Sequence, residues 1–143
     1  SMVDGRIKSA VLVKWNSAMS KILSKFPLFQ GLTPQGISEV AEMMELQRFT
    51  AGDQIIQQGK TGNEFFVIAK GVVDIHVDGQ WKNSLQDGEF FGETSLITDK
   101  PRNASAIAKT DMVCFVLTKD EFQKVLNTST SFEEELRKAI FSR

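Results

Sequence analysis

The chain is poor in the residues that build covalent or metal-bound frameworks. It holds one cysteine, Cys114, and one histidine, His76, among 143 residues. A lone cysteine excludes an intrachain disulfide framework and fits a reducing compartment. No Ser-His-Asp or Cys-His set can be assembled from such a composition, and no metal-ligand cluster is visible. No catalytic residue, metal or cofactor is therefore expected, and the domain reads as a non-enzyme. No apolar run approaches the roughly 18 residues of a membrane span, and no secretory signal is visible. The net charge of −1 gives a nucleic-acid partner no electrostatic support. A cytoplasmic protein without nucleic-acid or membrane-spanning function is the expectation. Ser1 ahead of Met2 suggests that the natural start lies elsewhere.

What is present is ordinary globular material, 41% hydrophobic and 24% charged, enough for one domain with a real core. Apolar residues at Ile7, Val11, Trp15, Ala18, Met19, Ile22 and Phe26 have three-four spacing, which predicts an amphipathic helix over 6–26. Pro27 then breaks it. Thr33 followed by Pro34 reads as an N-cap with proline at the first helical position. The helix it opens, 34–46, should bury Ile37, Val40, Ala41 and Met44.

Beyond this the pattern changes to short runs rich in Val, Ile and Phe between glycines. Strands are predicted at 45–50, 54–57, 64–70, 72–77, 80–85, 105–108 and 112–117. Asp78-Gly79 is a two-residue hairpin signal. Thr118 with Glu121, and Ser131 with Glu134, read as capping boxes. The first opens a helix burying Phe122, Val125 and Leu126; the second opens a helix over 132–142. The fold class is α+β, mainly β: a jelly-roll barrel flanked by N-terminal and C-terminal helices. One domain is expected, with a helical segment over 6–46, a β-roll over 47–117 and helices over 118–143.

The stretch from Phe91 to Ser105 stands apart. A short helical turn starting near Gly92 would leave free N–H groups and a positive dipole end that favour an anion. Arg102 adds a guanidinium fork suited to phosphate oxygens. Glu93 cannot share that anion and instead suits a hydroxyl donor. An anion beside a hydroxyl describes a sugar phosphate.

Phe91-Gly92-Glu93, Leu96-Ile97 and Pro101-Arg102-Asn103-Ala104-Ser105 together resemble the phosphate-binding cassette of cyclic nucleotide-binding domains. Upstream, Gly52-Asp53, Ile55-Ile56, Gly59, Phe65-Phe66-Val67-Ile68 and Gly71 repeat that family's glycine and apolar pattern. The likeness runs from about Phe26 to Phe141, and Ile55-Ile56-Gln57-Gln58-Gly59 is most similar to cyclic-nucleotide-regulated protein kinases. The resemblance implies a ligand, cAMP or cGMP, bound by Gly92, Glu93, Thr94, Ser95, Arg102, Asn103 and Ala104. Arg102 would pair with the phosphate, with backbone N–H groups near Ser95 and Asn103, and Glu93 would accept the ribose 2′-OH. Val73, Ile75, Leu85 and Ala104 would wall the sugar and base. Phe132, Leu136 or Ile140, on the C-terminal helix, would close as a lid and relieve inhibition of a kinase catalytic domain, in the same chain or another.

Asn103 departs from the family's pattern, which has alanine there in cAMP-type sites and threonine or serine in cGMP-type sites. Its amide can meet a purine edge or cap a local turn; the reading leans slightly to cGMP. A cupin enzyme would share the β-roll but needs several histidines, and His76 is expected to face solvent. Cys114, between Val113 and Phe115, reads as a buried small hydrophobe. A channel or exchange factor regulated by the same domain, a transcription regulator, and a degenerate non-binding interaction domain are the alternatives.

Overall fold

The structure, a computed structural model, describes residues 17–141. The 6–16 part of the helix predicted over 6–26 lies outside them. Contacts divide the chain into two compact units, one formed by the described residues up to Met43 with those from Ser129 on, the other by Met44–Thr128.

The larger unit is the β-roll. Its strands are β1 (Glu45–Phe49), β2 (Gln54–Ile56), β3 (Glu64–Lys70), β4 (Val73–Val77), β5 (Gln80–Leu85), β6 (Phe90–Phe91), β7 (Ser105–Ala108) and β8 (Met112–Thr118). They form two four-stranded sheets, ordered β1-β8-β3-β6 and β2-β7-β4-β5. Every pairing is antiparallel. This is the jelly-roll arrangement expected, with one strand the sequence reading missed: Phe90–Phe91 is only two residues long and pairs with Phe66 and Val67.

Strand β3 explains the unbroken run Phe65-Phe66-Val67-Ile68, because it is buried on both faces. Phe66 and Ile68 enter the core with Phe91, Ala106, Cys114 and Val116. The Phe66 and Phe91 rings stack at 4.9 Å between centroids. Phe65 packs instead on Phe122, at 4.7 Å. Phe122 belongs to a helix, Lys119–Thr128, whose apolar stripe buries Phe122 and Val125 and half-buries Leu126. The capping box that starts this helix is complete: Thr118 N–H donates to Glu121 Oε1 at 2.8 Å, and Glu121 N–H donates to Thr118 Oγ1 at 3.2 Å.

The Asp78-Gly79 hairpin forms as read, with both residues at positive φ (52° and 79°) and Val77 paired to Gln80. His76 is half-buried, with Trp81 and Ser105 as its neighbours across the sheet.

The helical unit contains α1 (helical over 17–23), a 3₁₀ turn at Pro27–Phe29, α2 (Pro34–Met43) and, after the short cassette helix α3 (Glu93–Thr98) and α4 (Lys119–Thr128) of the roll, α5 (Thr130–Phe141). Thr33 caps α2 as expected, accepting from Gly36 N–H at 3.1 Å. The helix ends at Met43 rather than at 46, because Glu45 and Leu46 are taken by β1. The second capping box is corrected as well. Ser129 Oγ, not Ser131, accepts from Phe132 N–H at 3.1 Å, so α5 starts at Thr130. Phe29 of the 3₁₀ turn packs its ring on Phe132 of α5 at 5.8 Å, and Met19, Leu23, Leu28 and Leu136 are buried.

Candidate functional site

Strand β6 delivers the chain to Gly92, which holds φ at 91° and caps α3. Glycine is required there twice over. The conformation is left-handed, and a Cβ would sit 3.0 Å from the Glu64 carbonyl oxygen and 3.1 Å from Arg102 Nη1. The predicted helical turn is α3, six residues long.

Arg102 reaches back under that turn. Its Nη1 donates to the Gly92 carbonyl at 2.6 Å and to Ser95 Oγ at 2.7 Å, and its Nη2 donates to the Glu64 carbonyl at 2.8 Å. Gly62 lies against the guanidinium so closely that any Cβ there would overlap Nε. The Arg102 main chain is paired as well, its N–H donating to Lys60 O and its carbonyl accepting from Gly59 N–H, both at 2.8 Å.

Among the described residues, the buried polar or charged side chains are Glu93 at 3% exposure, Ser95 at 5% and Arg102 at 7%. All three lie in the stretch that resembles the phosphate-binding cassette. Burial pushes the Arg102 pKa below its ordinary value, while the charges of Glu64 and Glu93 oppose the shift. The arrangement is a buried cation with carbonyl acceptors behind it and a buried carboxylate beside it. A cleft of about 330 Å³ adjoins Arg102, with Ile55, Ile56 and Phe66 as apolar lining and Lys60 and Gly62 on the loop side.

Of the other expected site residues, Thr94 and Ala104 are half-buried and Asn103 is exposed beside Arg102. Val73 and Leu85 are sealed in the roll's core, with Ile75 packed against it. Phe132 and Leu136 are buried in the helical unit, whereas Ile140 is exposed. The sequence reading missed the contribution of Glu64 and Gly62 to the arginine's seat. Gly62 contributes an empty volume and Glu64 a main-chain acceptor, and neither carries a side-chain signal.

The rear of α3 is tied to α4 by an ion pair between Lys119 and Asp99 and by Gln123 Nε2 donating to Leu96 O at 3.4 Å. Among the described residues no group of His, Cys, Asp and Glu could hold a metal. No described helix is long and apolar enough to cross a membrane.

The geometry can be set beside known proteins. The cAMP-dependent protein kinase regulatory subunit of Colletotrichum orbiculare is 39% identical over 107 residues, covering 73% of this chain and 27% of the relative. The chain thus spans about a quarter of that relative's length. A cAMP-bound PfPKA-R structure superposes with a TM-score of 0.85 at 23% identity, covering 92% of this chain and 46% of that one; this is a likeness of fold. The Thermus thermophilus catabolite activator protein superposes at 0.72 with 28% identity, over 82% of this chain and 57% of that one. A family model described as the cyclic nucleotide-binding domain matches residues 46–129, nearly all of the roll with its cassette and α4. That family is a ligand-binding module rather than a catalyst, and with more than half of its length matched the chain belongs to it.

Proposed function

We propose that this domain senses a purine cyclic nucleotide on behalf of a protein kinase, with Arg102 binding the cyclic phosphate and Glu93 accepting the ribose 2′-OH. The observation that carries the reading is the buried guanidinium of Arg102, seated on Gly62 and held by Gly92 O, Ser95 Oγ and Glu64 O, with the buried Glu93 carboxylate in the same cassette. A fixed cation next to a fixed acceptor suits a phosphate next to a hydroxyl. Fixing both before the ligand arrives lowers the ordering cost of binding.

The base is read at Asn103, exposed at the cassette's end. Its amide, a donor and an acceptor on one group, favours the guanine of cGMP slightly. The likeness to a regulatory subunit named for cAMP favours cAMP instead. Ligand binding draws the C-terminal helix over the base and relieves inhibition of a catalytic domain in the same chain or another, in the cytoplasm. Ile140 is the exposed member of the three lid residues, whereas Phe132 and Leu136 already serve the helical unit's own core.

The test is isothermal titration of the folded domain with cAMP and cGMP separately. Saturable one-site binding of either supports the sensor reading, and the ratio of affinities decides what Asn103 reads. No binding of either by folded protein would overturn it in favour of an interaction domain.

A further inference from the structure

The seat of Arg102 depends on a loop with little to hold it. Residues 57–62, between β2 and β3, supply the Gly59 N–H and the Lys60 carbonyl that pair with the Arg102 main chain, and Gly62, which floors its guanidinium. Yet Gln57, Gly59, Lys60 and Thr61 are exposed, and the segment offers no apolar side chain to the core. Gln58 and Gly62 are half-buried, and Gln58 is bonded through both its main chain and its side chain. Its main-chain N–H donates to Ser105 Oγ at 3.0 Å, at the first residue of β7. Its side chain makes a reciprocal pair with Asp78: Gln58 Nε2 donates to Asp78 Oδ1 at 2.8 Å, and Asp78 N–H donates to Gln58 Oε1 at 2.8 Å. Asp78 occupies the two-residue β4–β5 turn at φ 52°, so the pair joins the loop to a hairpin of the second sheet.

We propose that Gln58 is a positioning residue for the anion site: it fastens the 57–62 loop to the tip of the β4–β5 hairpin and thereby sets where Arg102 sits. It touches no ligand itself and acts through Gly59, Lys60 and Gly62. The inference rests on the reading that Arg102 meets the ligand's phosphate. An amide fits the role because the partner presents one N–H and one carboxylate oxygen, and a glutamine side chain matches both.

Two readouts test it, of which the first needs no ligand. Amide hydrogen exchange at Gly59 and Arg102 should accelerate in Gln58→Ala, since those N–H groups bridge the loop and the cassette. Titration with cAMP and cGMP should show affinity about three- to tenfold weaker, the range for losing ordinary hydrogen bonds. Gln58→Glu should weaken both readouts too, because it faces one carboxylate with another. Adding Asp78→Asn to Gln58→Glu supplies two N–H donors to that carboxylate and should return both readouts to wild type. A non-specific packing role would not produce this rescue. Unchanged exchange and affinity in Gln58→Ala would overturn the proposal, as would a double variant no better than Gln58→Glu alone. If wild-type protein binds neither nucleotide while exchange responds as stated, Gln58 still positions Arg102 and the sensor reading alone falls.

Discussion

Between the two sheets, buried space is filled by Phe66, Ile68, Phe91 and Val116, whereas the cassette, beside the buried Leu96, also buries the polar Glu93, Ser95 and Arg102. Both interiors belong to the same unit, and their energetics are opposite. Each large apolar side chain between the sheets contributes about 1.5–3 kcal/mol by leaving water. Arg102 and Glu93 lose hydration, and their attraction seldom exceeds that loss; well-packed apolar residues of similar volume would often serve stability as well or better. A polar interior kept at such a cost, with carbonyl oxygens and a glycine fitted around one guanidinium, points to a role outside folding. The comparison separates what holds the roll together from what the roll holds in place.

The largest expected effect breaks the polar interior directly. Arg102→Ala should weaken cyclic nucleotide binding by about 2–5 kcal/mol, the range for removing one partner of a buried charged pair. Calorimetry on the folded variant checks it, and unchanged affinity would remove Arg102 from the phosphate site. A smaller effect is expected from the floor beneath it. Gly62→Ala inserts a methyl where Nε lies, so the guanidinium must move. Affinity should fall by about 1–3 kcal/mol, as overpacking does. Gly52→Ala is the control: no atom lies within 4 Å of its Cβ, so only backbone strain at φ 95° is added, and ligand affinity should hold. Equal losses at both glycines would show that general destabilisation, not displacement of the guanidinium, accounts for the effect at Gly62, whose φ is not positive.

The same contrast explains what was legible in the sequence. Strands, the Asp78-Gly79 turn and the caps at Thr33 and Thr118 are local, so their signals sit within a few residues. Gly92, Glu93, Ser95 and Arg102 were legible because the cassette is one continuous stretch. The seat of Arg102 was not. Glu64 contributes a carbonyl oxygen and Gly62 contributes an empty volume, and neither leaves a side-chain pattern at long range. The strand Phe90–Phe91 was missed because two residues carry no periodicity. Ser129 was passed over as a cap because Ser131 with Glu134 offered the same motif two residues later. At the lid, three-four spacing identified an apolar face on α5, but spacing cannot distinguish Phe132 and Leu136, committed to a core, from the exposed Ile140.

The apolar interior has its own titratable probe in Cys114, fully buried and with its thiol pushed up to about 12 by burial, from an ordinary 9.0. Unfolded chain would lose that proton above pH 9, while folded protein retains it. The unfolded state then binds fewer protons, so stability must fall as pH rises through this window. The contribution is complete below pH 9 and should decline by about 1 kcal/mol between pH 9 and 10. Other groups titrate there too, so the measurement is a difference: urea unfolding of wild type and Cys114→Ala at pH 8 and 10. The cavity left by the substitution adds the same offset at both pH values. Wild type should therefore lose its advantage as pH rises, and parallel curves would mean that the thiol ionises as readily inside the roll as outside it. The interior between the sheets would then be wetter than its apolar lining implies, and its contrast with the cassette would be one of composition rather than of solvent.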